Sequence, residues 1–334
     1  MSGGDTSVLT HYLAPLQACL DEAGVTEVVV NRPGELAIER PGGWEWRSAP
    51  QLTEAWLLTL ARAAAALTSQ DVTEQIPICS TVLPAGERCQ IVLPPAAEQL
   101  SLTIRKPSAV QRDLAGFAQA GLFDGLVPAT SDLSADERRL LDLRDAGDWE
   151  AFFRLAVTSR RNLLISGATG SGKTTFAKGL VQLIPADERL LTIEDARELV
   201  VPHRNAVHLL YAKDGQGLAQ VGPKQLLESA LRMRPDRVLL QELRDGSAFH
   251  FLRNINSGHP GSITTIHADT AMLAFEQLTL LVKESDGGRD LGRDDIRSLL
   301  FLLVDVVVQM RRSEGRFRIT EVWYDPLRKR ALAA

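Results

Sequence analysis

The residues with the clearest chemistry form one run, Gly167-Ala168-Thr169-Gly170-Ser171-Gly172-Lys173-Thr174, followed by Thr175. It fits G-x-x-x-x-G-K-[ST], a loop whose successive backbone N–H groups cradle phosphate. Glycine is needed where the backbone must approach the phosphate and adopt positive φ angles that a Cβ opposes. Lys173 then supplies a cation for the β- and γ-phosphates, and the Thr174 hydroxyl is placed to ligate Mg²⁺. The flanks meet the structural demand of the pattern. Asn162 to Ser166 is a short apolar run, and Thr174 to Leu183 reads as a helix whose positive dipole end would face the anion. Together these residues imply a site for a nucleoside triphosphate with Mg²⁺.

Three further polar positions follow short strand-like runs. Leu190 to Ile193 ends on Glu194-Asp195, Arg237 to Gln241 ends on Glu242, and Ser262 to Ile266 ends on His267. Ligands of open α/β sheets bind outside the carboxyl ends of the strands, so these residues are expected to share an edge with the phosphate loop. Glu242 is the candidate for polarising the attacking water, or for holding Mg²⁺ through water. Many such strands place Asp before this Glu; here Gln241 stands there. Glu194 and Asp195 could contact Mg²⁺-bound water, or serve structure alone. His267 could sense the γ-phosphate through a hydrogen bond gained or lost on hydrolysis, or be a satisfied structural histidine. Phosphoryl transfer also calls for an arginine, worth ~10³–10⁵ in rate. Arg105, Arg232, Arg234 and Arg244 all qualify, and the sequence does not choose among them.

The elements that must position these groups alternate strand and helix after the phosphate loop, which predicts an α/β domain with a mainly parallel sheet. A smaller α+β domain precedes it. A helix over Thr6 to Ala23 leads to a meander of Glu27–Asn31, Glu35–Arg40 and Trp44–Arg47, then to a helix over Leu52–Leu67 and three more strands. The division expected is 1–108 for the N-terminal domain, 109–148 for a linker and 149–334 for the nucleotide domain. Ser134 and Glu137 form a capping box for a helix within the linker. At 334 residues, 45% apolar and 24% charged, the composition is that of a soluble two-domain protein. A net charge of −5 argues against a dedicated nucleic-acid binder. Cys19, Cys79 and Cys89 form no C-x-x-C pair, which fits a reducing, cytoplasmic setting. The start MSGGDTSVLTHYL lacks the basic segment and apolar core of a signal peptide. The longest apolar run, Leu299 to Met310, is broken by Asp305 and is too short to span a bilayer, so membrane contact is expected to be peripheral.

With four boxes in order, GATGSGKTT, TIEDARELVVP, RMRPDRVLLQELRD and SGHPGSITTIHAD, the chain resembles the traffic ATPases of the type II/type IV secretion superfamily. It is most similar to the VirB/TrbB-type ATPases of type IV secretion and conjugation, and EVVVNRPGE and LTIRKPS extend the likeness into the N-terminal domain. The resemblance implies a RecA-like ATPase domain, a homo-hexameric ring in two tiers, and inner-membrane and cytoplasmic partners of a secretion apparatus. It implies a place at the inner face of the bacterial inner membrane. Lys173 and Thr174 map to the phosphate and Mg²⁺ residues, Glu194 to the acidic box, Glu242 to the Walker B glutamate and His267 to the histidine box. Arg105 maps to the N-terminal arginine that approaches the γ-phosphate. The family usually has Gly where Gln241 stands. Pilus-assembly and type II secretion ATPases are the nearest alternative, but those of the type II kind usually carry a tetracysteine zinc module. A RecA-like DNA motor and a non-hydrolysing scaffold are more distant.

Overall fold

The structure, a computed structural model, describes residues 7–108, 111–128 and 130–333. α1 (Ser7–Leu20) buries Leu9, Leu13, Leu16 and Leu20 along one stripe, with Pro15 inside the helix. The expected start at Thr6 lies outside the described residues. β1 (Glu27–Val30), β2 (Gly34–Arg40) and β3 (Gly43–Ala49) form the expected antiparallel meander. α2 (Glu54–Leu67) starts where Thr53 Oγ1 accepts from Trp56 N at 3.2 Å, which satisfies one of the helix's otherwise unpaired donors. β4 (Ile78–Val82), β5 (Arg88–Val92) and β6 (Ser101–Arg105) complete one antiparallel sheet, in the order β3-β2-β1-β6-β5-β4.

The two faces of this sheet differ in chemistry. Val28, Val30, Cys89, Ile91, Leu102 and Ile104 alternate onto the face covered by α1 and α2. Glu27, Gln90, Ser101 and Thr103 point the other way and are buried all the same, because that face abuts the second domain. There Gln90 Nε2 donates to Ser229 Oγ at 2.8 Å, and the fully buried Arg189 donates to Asn31 Oδ1 at 2.7 Å. Glu39 pairs with Arg234, and Trp44 and Trp46 lie 5.4 and 4.4 Å from the guanidiniums of Arg234 and Arg204.

The stretch 109–148 divides in two. α3 (Leu114–Gln119) buries none of its residues. α4 (Ala135–Asp145) opens with both hydrogen bonds of the Ser134–Glu137 capping box. Its Leu140 and Leu143 join Phe152 and Phe153 of α5 (Trp149–Thr158) in a single core, so this helix packs with the nucleotide domain.

In the second domain β7 (Leu163–Gly167) leads to α6 (Lys173–Val181), followed by β8 (Leu190–Glu194), β9 (Ala206–Leu210) and α7 (Pro223–Ala230). β10 (Arg237–Leu240), α8 (Ser247–Ile255), β11 (Ile263–Ile266) and α9 (Ala271–Glu284) continue the alternation. α10 (Arg293–Leu303), β12 (Val306–Ser313), β13 (Arg316–Tyr324) and α11 (Pro326–Ala333) close it. β10-β8-β9 and β11-β7-β12-β13 are two ladders joined by a parallel bridge between Glu242 and Thr265. Every pairing is parallel except β12 with β13, as the α/β reading requires. The apolar run Leu299–Met310 is not one element: α10 ends at Leu303 and β12 begins at Val306. Between them the buried Asp305 accepts from Asn162 N at 2.8 Å and from Lys329 Nζ at 2.6 Å. Among the described residues no helix is long and apolar enough to cross a membrane.

Candidate active site

The phosphate loop is built by backbone constraints. Gly167 ends β7 at φ 153°, and a Cβ there would lie 2.5 Å from Met310 O on β12. Gly172 sits at φ 92° as the N-cap of α6 and offers no side-chain cap, so the first N–H groups of that helix point outward unblocked. Ala168, Thr169, Gly170 and Thr175 are exposed, and Thr174 is half-buried. Ser171 Oγ is buried with no hydrogen-bond partner.

Lys173 is folded over the loop, with Nζ donating to Gly167 O at 2.7 Å and Ala168 O at 3.1 Å. Burial lowers its pKa, Glu242 opposes that shift, and Arg244 adds to it. His267, just past β11, lies between the lysine and the acid: Nδ1 is 3.4 Å from Lys173 Nζ and Nε2 is 2.6 Å from Glu242 Oε1. An ammonium can only donate, so Nδ1 is the acceptor and the ring proton resides on Nε2, on the Glu242 side. The Nε2 approach is off the direction of a hydrogen bond, which leaves Oε1 buried without a hydrogen-bond partner. The other oxygen of Glu242 accepts from Arg244 Nε at 2.8 Å. Arg244 also donates to Asp195 Oδ2 at 2.8 Å, and Lys213 Nζ reaches the same oxygen at 2.9 Å. Burial works against the charge on Asp195, but Lys213 and Arg244 overcome it and hold the carboxyl below its ordinary value. The result is a chain of alternating charge from Lys173 through Glu242 and Arg244 to Asp195, laid across the ends of β7, β10 and β8.

Other expected residues stand apart from this chain. Glu194 is fully buried and its oxygens are taken up locally. Oε2 accepts from Glu198 N at 2.8 Å and Leu199 N at 2.7 Å, while Oε1 accepts from Thr192 Oγ1 at 3.0 Å. Asp195, its neighbour, is the member of the pair that faces Arg244. Arg105 ends β6 largely exposed, and its ion-pair contact is Glu27 Oε1 at 3.9 Å. Arg234 is held at the domain interface, and Arg232 donates to Glu228 O at 3.5 Å on the surface. Of the four candidate arginines, Arg244 alone touches the site. Gln241 contributes through its backbone: its N donates to Ile193 O at 3.0 Å and its O accepts from Thr265 Oγ1 at 2.9 Å. Sequence reasoning passed over Lys213, for which no motif gives a signal, and Phe317, whose ring lies on Gly172.

The residues present suit Mg²⁺ held mainly by phosphate and water. The described residues contain no group of three or more His, Cys, Asp or Glu able to cage a metal. One hydroxyl, on Thr174, and one carboxylate oxygen without a hydrogen-bond partner, Glu242 Oε1, fit an ion that keeps most of its water shell.

Residues 133–314 match the family described as Type II/IV secretion system protein. The type IV secretion system protein VirB11 of Bartonella quintana is 49% identical, over 99% of this chain and 96% of that protein. Its counterpart in Brucella suis is 47% identical over 97% of this chain and 92% of that protein. A crystal structure of the VirB11 ATPase from the Brucella suis type IV secretion system, in complex with sulphate, covers 97% of this chain and 99% of its own, with 46% identity and a TM-score of 0.91. The phosphate loop, the acid after β10 and the histidine after β11 thus lie in a chain alike from end to end, which belongs to the type II/IV secretion ATPase family, among its VirB11 members.

Proposed function

We propose that the chain hydrolyses ATP with Mg²⁺ as a homo-hexameric ring and drives assembly or substrate transfer in a type IV secretion apparatus. It would do so at the cytoplasmic face of the inner membrane, with inner-membrane and cytoplasmic components as partners and without specific nucleic-acid binding. The observation that carries the chemistry is the meeting of Lys173, His267 and Glu242 at one sheet edge. Lys173 and the N–H groups of Gly170 to Thr174 bind the phosphates. Mg²⁺, placed by Thr174 and by Glu242 through water, would neutralise charge on the transferring phosphoryl group. Glu242 orients the attacking water and takes its proton at Oε1. Arg244 keeps that carboxylate aimed, and Asp195 and Lys213 hold Arg244 in turn. Glu194 acts one step back by fixing the loop that begins at Asp195. Once Lys173 turns from the loop carbonyls toward phosphate, His267 loses or changes its contact, which makes it a reporter of the γ-phosphate. Arg105 would supply the second cation from the N-terminal domain, as the family resemblance implies.

The Glu242→Gln protein tests this. It should bind ATP with unaltered affinity and hydrolyse it at least about 10²-fold more slowly. In sedimentation velocity with Mg-ATP and labelled single-stranded DNA it should run as a hexamer that leaves the DNA behind. Unchanged turnover would remove Glu242 from the mechanism, a persistent monomer would remove the ring, and co-sedimenting DNA would point to a nucleic-acid motor instead.

A further inference from the structure

We propose that the β12–β13 hairpin provides the nucleobase shelf of the ATP site, with Phe317 as the ring on which the base stacks. Three observations converge on it. The first is position: a Cβ on Gly172 would lie 2.8 Å from Phe317 Cγ, so the ring rests directly on the residue before Lys173.

The second is the face of the sheet. The pairs Val306–Tyr324 and Val308–Val322 face the core beneath α6. The register then shifts between Gln309 and Met310, so Thr320 is an extra residue, and the pairs Met310–Ile319 and Arg312–Phe317 stay on that same face. Without the bulge, Ile319 and Phe317 would turn to the other side. Along this face burial gives way to exposure: Tyr324 is 4% exposed, Ile319 39% and Phe317 54%. An aromatic ring is thus left half-open at the lip of the phosphate loop, with the Arg312 guanidinium 6.0 Å from its centroid.

The third is direction. β7 is flanked by β11 on one side and β12 on the other. His267 and Glu242 come from the β11 and β10 side, which fixes the reacting, γ-phosphate end of the nucleotide there. A base is tethered to its phosphates by a single ribose, so it falls on the opposite flank, where the hairpin stands. Stacking on an aromatic face suits any base, and a nearby guanidinium adds a cation–π contribution.

The inference rests on the phosphate loop binding the nucleotide's phosphates, and the test separates the two. Calorimetric titration compares ADP with inorganic pyrophosphate on wild-type, Phe317→Ala and Phe317→Trp proteins. Phe317→Ala should weaken ADP about tenfold and leave pyrophosphate unchanged. Phe317→Trp should keep ADP affinity and show fluorescence quenched by ADP but not by pyrophosphate. Equal loss of both ligands would make Phe317 a support for Gly172 rather than a shelf. No loss of either would remove it from the site. A wild-type protein that bound neither ligand would overturn the phosphate-loop reading, and the shelf with it.

Discussion

Lys173 has two environments to serve: it is tucked among loop carbonyls and must present a charge to phosphate. Burial pulls its pKa below the ordinary 10.5, and only the protonated form attracts phosphate. Because kcat/KM reports the free protein, it should fall as pH rises through this lowered value, before an ordinary lysine would titrate. Steady-state hydrolysis from pH 7 upward checks this; a profile flat to pH 10.5 would mean the lysine is not buried as described. Lys173, Glu242 and His267 were legible because a loop pattern and strand endings place them without reference to anything distant. The pair Glu194-Asp195 was less so. Successive strand residues face opposite ways, so only one of the two can meet Arg244, and which one depends on where the strand stops. Phe317 was illegible for another reason, since its role follows from a bulge at Thr320 and from the order of β7, β12 and β13, neither of which is local.

At the scale of the element, β8 and β9 are tied by a buried polar group rather than by apolar packing alone. Thr192 Oγ1 gives its one proton to Glu194 Oε1, so it accepts from Nδ1–H of His208 across 2.8 Å. Nε2 then accepts from Arg197 at 2.7 Å, and the neutral ring is satisfied at both nitrogens. Burial, reinforced by Arg197 and opposed by Glu98, pushes the pKa of His208 down to about 4. A depressed histidine contributes stability that is complete above its unfolded value of 6.5 and is lost as pH falls from 6.5 toward 4. Between pH 7 and pH 5 the loss is about 2 kcal/mol, since each tenfold change in proton affinity is worth roughly 1.4 kcal/mol. Urea midpoints of wild-type and His208→Asn proteins at the two pH values test this. The variant should lose about 2 kcal/mol less on acidification, and equal losses would show that another group carries the acid sensitivity. The sequence pattern located β8, but the alternation in Leu190-Leu191-Thr192-Ile193-Glu194 is silent on whether Thr192 meets a histidine or solvent.

For the whole molecule, the polar face of the N-terminal sheet is the seam between domains. The sequence Ser101-Leu102-Thr103-Ile104-Arg105 reads as a strand with one wet face, and the strand was legible for that reason. That the wet face is buried against Ser229, Arg189 and Asn205 depends on domain docking, which no window of sequence encodes. Arg189 is fully buried, and burial lowers its pKa to about 9, so it remains charged at neutral pH. Asn31, from the other domain, supplies one of its acceptors at 2.7 Å. Asn31→Ala should therefore cost about 2 kcal/mol, the worth of a hydrogen bond to a charged group. Calorimetric unfolding would register this as a lower Tm, with any splitting into two transitions marking uncoupled domains. An unchanged scan would show that the seam is held by its rings and ion pairs without this bond.

The contact of the N-terminal domain with β9 has a consequence for solubility. Ala97 bridges Leu209 antiparallel, Glu98 N donates to His208 O, and Leu210 N donates to Ala96 O, both at 2.9 Å. These bonds end the parallel sheet on that side as a further strand would. A fragment holding only the ATPase domain would present β9 as a bare edge, with unpaired N–H and C=O groups ready to recruit the same edge of another fragment. The first domain therefore also guards the second against self-association, and the two are to be handled as one piece in any attempt to isolate the ATPase chemistry.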